Sequence, residues 1–154
     1  MLESVRAAFG ACPRPVHFFS GCQDDEEWAD HDQMLRSHTV HTIGLAELGN
    51  PGWDPICSAD TAGYLYYMPA LARVLLGDGG ENYLTQFLFH LNRERVAAFT
   101  DEQRAAVARL LEYVRDTRGE AVEFDRAELA ERIGALGAQV AERSVEPDRR
   151  PASS

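Results

Sequence analysis

The chain contains no lysine: all 15 of its basic residues are arginine. The absence of lysine excludes Schiff-base chemistry, which needs an amine that can lose its proton, and it excludes the lysine of a phosphate-binding P-loop. Arginine stays protonated near neutral pH, so these side chains can pair with carboxylates or phosphates but cannot act as bases.

Cysteine is scarce, and the sequence has no long apolar run. Cys12, Cys22 and Cys57 are odd in number and irregularly spaced, which favours reduced thiols in a cytoplasmic protein. The most apolar stretch, residues 64–72, contains a proline and is far shorter than the roughly 20 residues that span a bilayer. The first residues lack a basic segment ahead of an apolar core, so we predict no signal peptide.

The chain has fewer basic than acidic residues: 15 arginines against 25 aspartates and glutamates, for a formal net charge of −10 at pH 7. This excess opposes nucleic-acid binding, which depends largely on neutralising phosphates, and it favours a basic partner. The chain has 154 residues, of which 45% are hydrophobic. One domain with its own core is therefore expected.

Apolar residues at spacings of three and four predict helices over most of the chain. Residues 100–103 have the pattern of a capping box, the clearest helix start. Pro69 falls inside an apolar stripe, so it must either kink that helix or begin a second one. The glycine-rich stretch 77–80 is interpreted as a turn between helices rather than a phosphate loop.

These patterns predict a compact all-α bundle of five or six helices. A short strand at Val16–Phe19 allows at most one minor strand pair near the N-terminus. The single helical domain is expected to cover residues 1–143. Residues 144–154 contain two prolines and almost no apolar side chains, so we predict a disordered tail.

The first candidate site is a run of carboxylates that opens the second predicted helix, where no arginine lies between Arg14 and Arg36. One interpretation is a surface that binds a basic partner; the other is a solvated helix start, whose charges suit the helix dipole. Phe89 points away from the apolar face of its helix, so either that helix is buried on two sides or Phe89 marks a contact surface. The candidate binding residues are Asp24, Asp25, Glu26, Glu27, Trp28 and Phe89.

The second candidate site is a histidine cluster, formed by His31, His38 and His41. His38 and His41 are three residues apart, so one helical turn could direct both imidazoles at a divalent ion such as zinc. The β-branched residues between them make a regular helix doubtful, and on a strand the two rings would face opposite sides. The alternative is ordinary surface or hydrogen-bonded histidines. We expect no other cofactor, and no residue is marked as catalytic.

The segment Tyr66-Tyr67-Met68-Pro69-Ala70, followed by the capping box at 100–103, resembles a bacterial family of uncharacterised small helical domains. Members of that family carry an aromatic-Tyr-Leu-Pro-Ala helix and, downstream, a Ser/Thr-x-x-Gln helix. The resemblance covers about residues 36–115, and a methionine replaces the leucine of the family. It implies an all-α fold and a bacterial origin, and it implies no activity.

Two functional hypotheses follow from the sequence. The first is a non-enzymatic, immunity- or regulator-like module that binds a basic protein surface through its acidic helix and an exposed aromatic residue. The second is a small metal-dependent enzyme that uses the histidine cluster, with Asp30 or Cys22 as a further ligand. The oligomeric state, the substrate and the biological process are left open.

Overall fold

The structure is a computed structural model that describes residues 1–20 and 25–144, with side chains described as far as residue 137. These residues form helices joined by turns, which confirms the all-α prediction. The described residues contain no strand, so the minor strand pair suggested for Val16–Phe19 is not found. The backbone of Phe18 instead donates its N–H to the Asp32 carboxylate at 2.6 Å and accepts from the N–H of Asp60 at 2.7 Å.

The described helices are more numerous and shorter than the five or six that the sequence predicted. Gly and Pro divide the middle of the chain, so the ambiguous segments become single turns. Three 3-10 segments connect helices, and they cover Pro51–Trp53, Gly80–Tyr83 and Gly119–Asp125. The α-helices, in chain order, are α1 Leu2–Phe9, α2 Glu26–Ser37, α3 Leu45–Leu48, α4 Pro55–Ser58, α5 Thr61–Leu76, α6 Leu84–His90, α7 Arg93–Ala97, α8 Asp101–Arg118 and α9 Arg126–Ser144.

Helix α5 contributes nine buried residues to the bundle. It packs against α1, while α8 packs against both α1 and α9. Pro69 does not begin a second helix, because α5 runs from Thr61 to Leu76 with the proline inside it. Its buried face carries the stripe expected from the sequence, including Tyr64, Tyr67, Leu71 and Leu75.

Side chains of α5 hold the end of α2 in place. The Tyr67 hydroxyl donates to the carbonyl oxygens of Leu35 and His38. Arg73 donates to the carbonyl oxygens of Val40 and Ile43, in the turn that follows α2. Because these donors come from a buried helix, the C-terminal half of α2 has a fixed position on the bundle.

The predicted capping box is confirmed at the start of α8. The Thr100 hydroxyl accepts from the Gln103 N–H at 3.2 Å, and the Gln103 side chain accepts from the Thr100 N–H at 3.0 Å. Gln103 also donates to the Ala8 carbonyl at 3.1 Å, which joins α8 to α1. No helix within the described residues is long and apolar enough to cross a bilayer. Residues 145–154 lie outside the described residues, so the tail and the domain limits stay predictions.

Gly63 allows α5 to approach the 17–18 segment. A Cβ atom on Gly63 would lie 2.9 Å from Cδ1 of the buried Phe18, so Gly63→Ala should displace that ring and cost about 1–3 kcal/mol of the unfolding free energy. Gly134→Ala on α9, where a Cβ atom meets nothing within 4 Å, should instead stabilise by about 0.5–1 kcal/mol. Urea unfolding followed by circular dichroism measures both, and equal effects would contradict the packing at Gly63.

Candidate functional site

The predicted acidic run lies at the start of α2. Asp25 is the N-cap residue, and its Oδ1 accepts a hydrogen bond from the Glu27 N–H at 3.0 Å. Glu26 and Glu27 occupy the first turn, where the positive end of the helix dipole favours carboxylates. All three side chains are exposed, and Asp24 lies outside the described residues. The carboxylates thus stabilise the helix start and are also accessible to a partner.

Two partly exposed tryptophans accompany the acidic start of α2: Trp28 follows Glu27 in the sequence, and Trp53 contacts His31 of the same helix. The Trp28 ring, 36% exposed, meets the Phe19 ring edge-on with centroids 4.7 Å apart. The Trp53 ring, 42% exposed, lies over the buried His31 ring at 4.5 Å. His31 Nε2 is 3.7 Å from Glu27 Oε1. The contacting His31 and Trp53 rings are therefore connected to the Glu27 carboxylate. We name this region the acidic–aromatic surface, defined by Asp25, Glu26, Glu27, Trp28, Asp30 and Trp53.

No arginine among the described side chains pairs with the acidic–aromatic surface. Asp25, Glu26 and Asp30 form no ion pair with any residue in the described ranges, and Glu27 pairs with a histidine alone. Arg36, at the far end of α2, lies 3.9 Å from Asp32. The surface therefore combines uncompensated negative charge with accessible aromatic area.

Phe89 lies on α6, whereas the other predicted binding residues that the structure describes lie at the start of α2. It is 66% exposed on α6, so of the two alternatives raised by the sequence, burial on both sides of that helix is wrong. Its ring packs edge-on against the His90 ring, with centroids 6.0 Å apart. Among the described residues, no ring contact joins Phe89 to Trp28 or Trp53.

The three histidines of the predicted metal cluster occupy different environments. His31 is buried under Trp53, His38 is the half-buried C-cap residue of α2, and His41 is exposed in the turn that follows. Within the described ranges, one set of three side chains has ligand atoms close enough together to hold one metal ion. None of these three histidines belongs to that set. Cys22, a further ligand considered for this cluster, lies outside those ranges.

A buried polar cluster that we did not expect from the sequence joins α4 to α6 and α7. Asp54 Oδ2 accepts from Gln86 Nε2 and from His90 Nε2, each at 2.8 Å. Asp54 Oδ1 accepts from the Ile56 N–H at 2.9 Å and so caps α4. On the other side of the imidazole, Arg95 Nη1 lies 3.3 Å from His90 Nδ1. One carboxylate therefore organises residues from three short helices.

The hydrogen bonds determine the proton position on His90. Arginine can only donate, so His90 Nδ1 accepts from Arg95 and His90 Nε2 carries the proton toward Asp54. A neutral imidazole thus connects a buried carboxylate to a buried guanidinium, an arrangement we call the Asp54–His90–Arg95 relay. Arg95 Nη2 also donates to the carbonyl oxygens of Ile56 and Ala59, at 2.7 and 2.8 Å, and so closes the end of α4.

Several polar atoms around the relay lack partners. The hydroxyls of Tyr64 and Tyr83 and the Oε1 of Gln86 are buried with no hydrogen bond to a described residue. Such atoms are rare in folded proteins because an unpaired buried dipole is costly. Burial raises the pKa of both tyrosines, and at Tyr83 the charge of Asp54 adds to the effect.

Cys57 lies at the solvent-exposed edge of this cluster. Its burial is only partial, yet desolvation, followed by the negative charge of Asp54, raises the pKa of its thiol. The side chain is therefore a protonated thiol near neutral pH. A signal for the cluster was present in the sequence, since Asp54 and Cys57 are three residues apart like His38 and His41. Their partners are more than thirty residues away, so the pattern alone could not reveal them.

His17 was also missed, and it lines a surface cavity of about 750 Å³ together with Asp32, Gln33 and Arg36. His17 Nδ1 lies 2.8 Å from Asp32 Oδ2, and because a carboxylate accepts, Nδ1 carries the proton. The same carboxylate accepts from the Phe18 N–H. Asp32 thus anchors the 17–18 segment to α2.

Comparison with known proteins gives no relative: no family model, no curated protein and no solved structure matches this chain. The resemblance to a family of small helical domains therefore contributes no function to this chain.

Removing the charge of Asp54 should show how far the bundle depends on the relay. Asp54→Asn keeps the shape of the side chain but leaves the buried Arg95 uncompensated, so we expect the unfolding free energy to fall by about 3 kcal/mol. Asp78→Asn, in an exposed turn, is the matched control and should stay within about 0.5 kcal/mol of the wild type. Urea unfolding measures both variants. Equal losses would show that charge pairing at Asp54 contributes little.

Proposed function

We propose that this protein is a non-enzymatic, immunity- or regulator-like module that binds a basic protein partner through the acidic–aromatic surface. The observation that carries the proposal is a pair of accessible tryptophans at the acidic start of α2. Trp28 follows Glu27 in the sequence, Trp53 contacts His31, and the exposed carboxylates around them form no ion pair with a described arginine. Tryptophan anchors are enriched at the energetic centres of interfaces. Carboxylates around such anchors raise the rate of encounter with a basic partner and exclude acidic ones.

The surface is also well fixed in space, which supports a binding role because a preorganised surface loses little conformational entropy on association. Tyr67 holds the end of α2. Trp53 immediately precedes Asp54, whose carboxylate is bound on both oxygens. The tryptophan is therefore attached to one of the most constrained points of the backbone.

The charge of the surface selects the partner class. Uncompensated carboxylates repel phosphates, so we propose a protein rather than a nucleic acid. We also propose a cytoplasmic location in a bacterium, and the free thiols of Cys12 and Cys57 support the reducing setting. Phe89 lies outside the acidic–aromatic surface and has no part in this proposal. No observation among the described residues favours an enzyme built on His31, His38 and His41.

Charge reversal tests whether the location of the charge matters. Peptides selected from a random display library on the immobilised wild-type protein should be basic and contain an apolar residue. Their affinity should fall by about tenfold or more in the double variant Glu26→Arg/Glu27→Arg, because repulsion replaces attraction. The matched control is Glu102→Arg/Glu112→Arg, which alters the net charge equally at exposed positions of α8. Selected peptides without positive charge, or equal losses in both doubles, would refute the proposal.

Truncating the central aromatic residue tests the apolar contribution separately. Trp53→Ala should weaken binding of the same selected peptides by about 2 kcal/mol, which is roughly 30-fold, because a buried interface tryptophan is typically an energetic anchor. Phe124→Ala removes a fully exposed ring elsewhere and should leave the affinity unchanged. Isothermal titration calorimetry at fixed salt compares the variants. A loss with Phe124→Ala as large as that with Trp53→Ala would place the interface elsewhere.

A further inference from the structure

Three different metal-ligating groups come together at the buried polar cluster. Asp54 and Cys57 lie on the first turn of α4, and His90 lies at the end of α6. One ligand atom from each residue lies within 4.8 Å of the other two. A carboxylate oxygen, a thiol sulfur and an imidazole nitrogen form the mixed donor set that zinc accepts in proteins.

A second observation points to an occupant in the same place. The Tyr83 hydroxyl is fully buried and has no hydrogen-bond partner in the described part of the chain. Tyr83 lies in the short segment directly before α6, the helix that carries Gln86 and His90. The Oε1 atom of Gln86 is also unpartnered, while its Nε2 atom binds Asp54. Two buried polar groups near the three ligand residues therefore have no hydrogen-bond partner among the described residues. In addition, Gln86 already donates to Asp54 the kind of outer hydrogen bond that orients a metal-binding carboxylate.

An ion could reach this cluster from solvent. Cys57 is exposed, whereas Asp54 and His90 are buried. Cys57 and Arg95 line an open surface cavity of about 500 Å³. The sulfur would meet an incoming ion first, and one ligand atom of each buried residue lies within 4.8 Å of it.

We propose that Asp54, Cys57 and His90 bind a divalent transition-metal ion of the zinc class. The ligands are the Cys57 thiolate, His90 Nε2 and an Asp54 carboxylate oxygen. On binding, the thiol proton leaves to solvent, and the imidazole proton moves from Nε2 to Nδ1. Oxidation states do not change. Ligand distances of about 2.0–2.3 Å require the first turn of α4 to move closer to α6.

Arg95 competes with the metal ion in this arrangement. In the relay its Nη1 donates to His90 Nδ1, but a metal-bound His90 carries a proton on Nδ1, so two donors would face each other. Arg95 Nη1 must then move away, while Nη2 can keep its bonds to Ile56 and Ala59. Arg95→Gln should therefore bind the metal more tightly than the wild type, because the glutamine carbonyl can accept the Nδ1 proton.

Cobalt(II) is the probe, because a thiolate ligand gives it an intense charge-transfer absorption. Metal-free, reduced wild-type protein should bind one equivalent of cobalt with this band, and zinc should displace it. Cys57→Ser should lose the band and bind at least about tenfold more weakly. Cys12→Ser and Cys22→Ser are matched controls and should keep the band. A wild type without the band, or a band that survives in Cys57→Ser, overturns the proposal.

Thermal unfolding gives a second measurement that does not depend on the absorption band. Zinc should raise the melting temperature of the wild type, raise that of Arg95→Gln further, and raise that of Cys57→Ser much less. Because Cys57 is exposed, its replacement by serine should not prevent folding. Metal binding should be the same in Glu26→Arg/Glu27→Arg as in the wild type. A failure of the metal proposal can therefore be distinguished from a failure of the proposed interaction function. Equal zinc shifts in the wild type and Cys57→Ser would contradict the proposed site.

Discussion

The burial of one carboxylate organises the centre of this bundle. A charge removed from water must be compensated, and Asp54 achieves this through Gln86, His90 and, across the imidazole, Arg95. The elements involved, α4, α6 and α7, are each too short to be stable as isolated helices. Their arrangement therefore depends on the hydrogen bonds that Asp54 accepts from Gln86 and His90. Each of these bonds also restricts the position of the helix that supplies the donor.

The same constraint connects the interior to the acidic–aromatic surface. Trp53 and Asp54 are consecutive residues, one partly exposed and the other buried, so fixing the carboxylate also fixes the tryptophan. On the opposite side, α2 is held by donors from α5 and by the Asp32 carboxylate. The proposed partner surface and the proposed metal ligands thus share one anchor at the start of α4, although their chemistry is independent.

Much of the fold could be predicted from the sequence, because helix periodicity and capping are local properties. The stripe of α5, the capping box at Thr100 and the turn at 77–80 are all present. The acidic start of α2 was also visible, since a run of carboxylates without arginine needs no tertiary information. The failures were local ambiguities: residues 16–19 have strand-like composition, but their backbone groups pair with α2 and α5 rather than with a second strand.

The sequence by itself determined the all-α class, the negative charge and the amphipathic faces, since each depends on residues within a few positions of one another. Only the tertiary structure decided which polar side chains meet. His90 and Arg95 are separated from Asp54 by 36 and 41 positions, and nothing near them marks a pairing. Three-dimensional packing brings them together because a buried charge can be stabilised only by groups that the fold places around it.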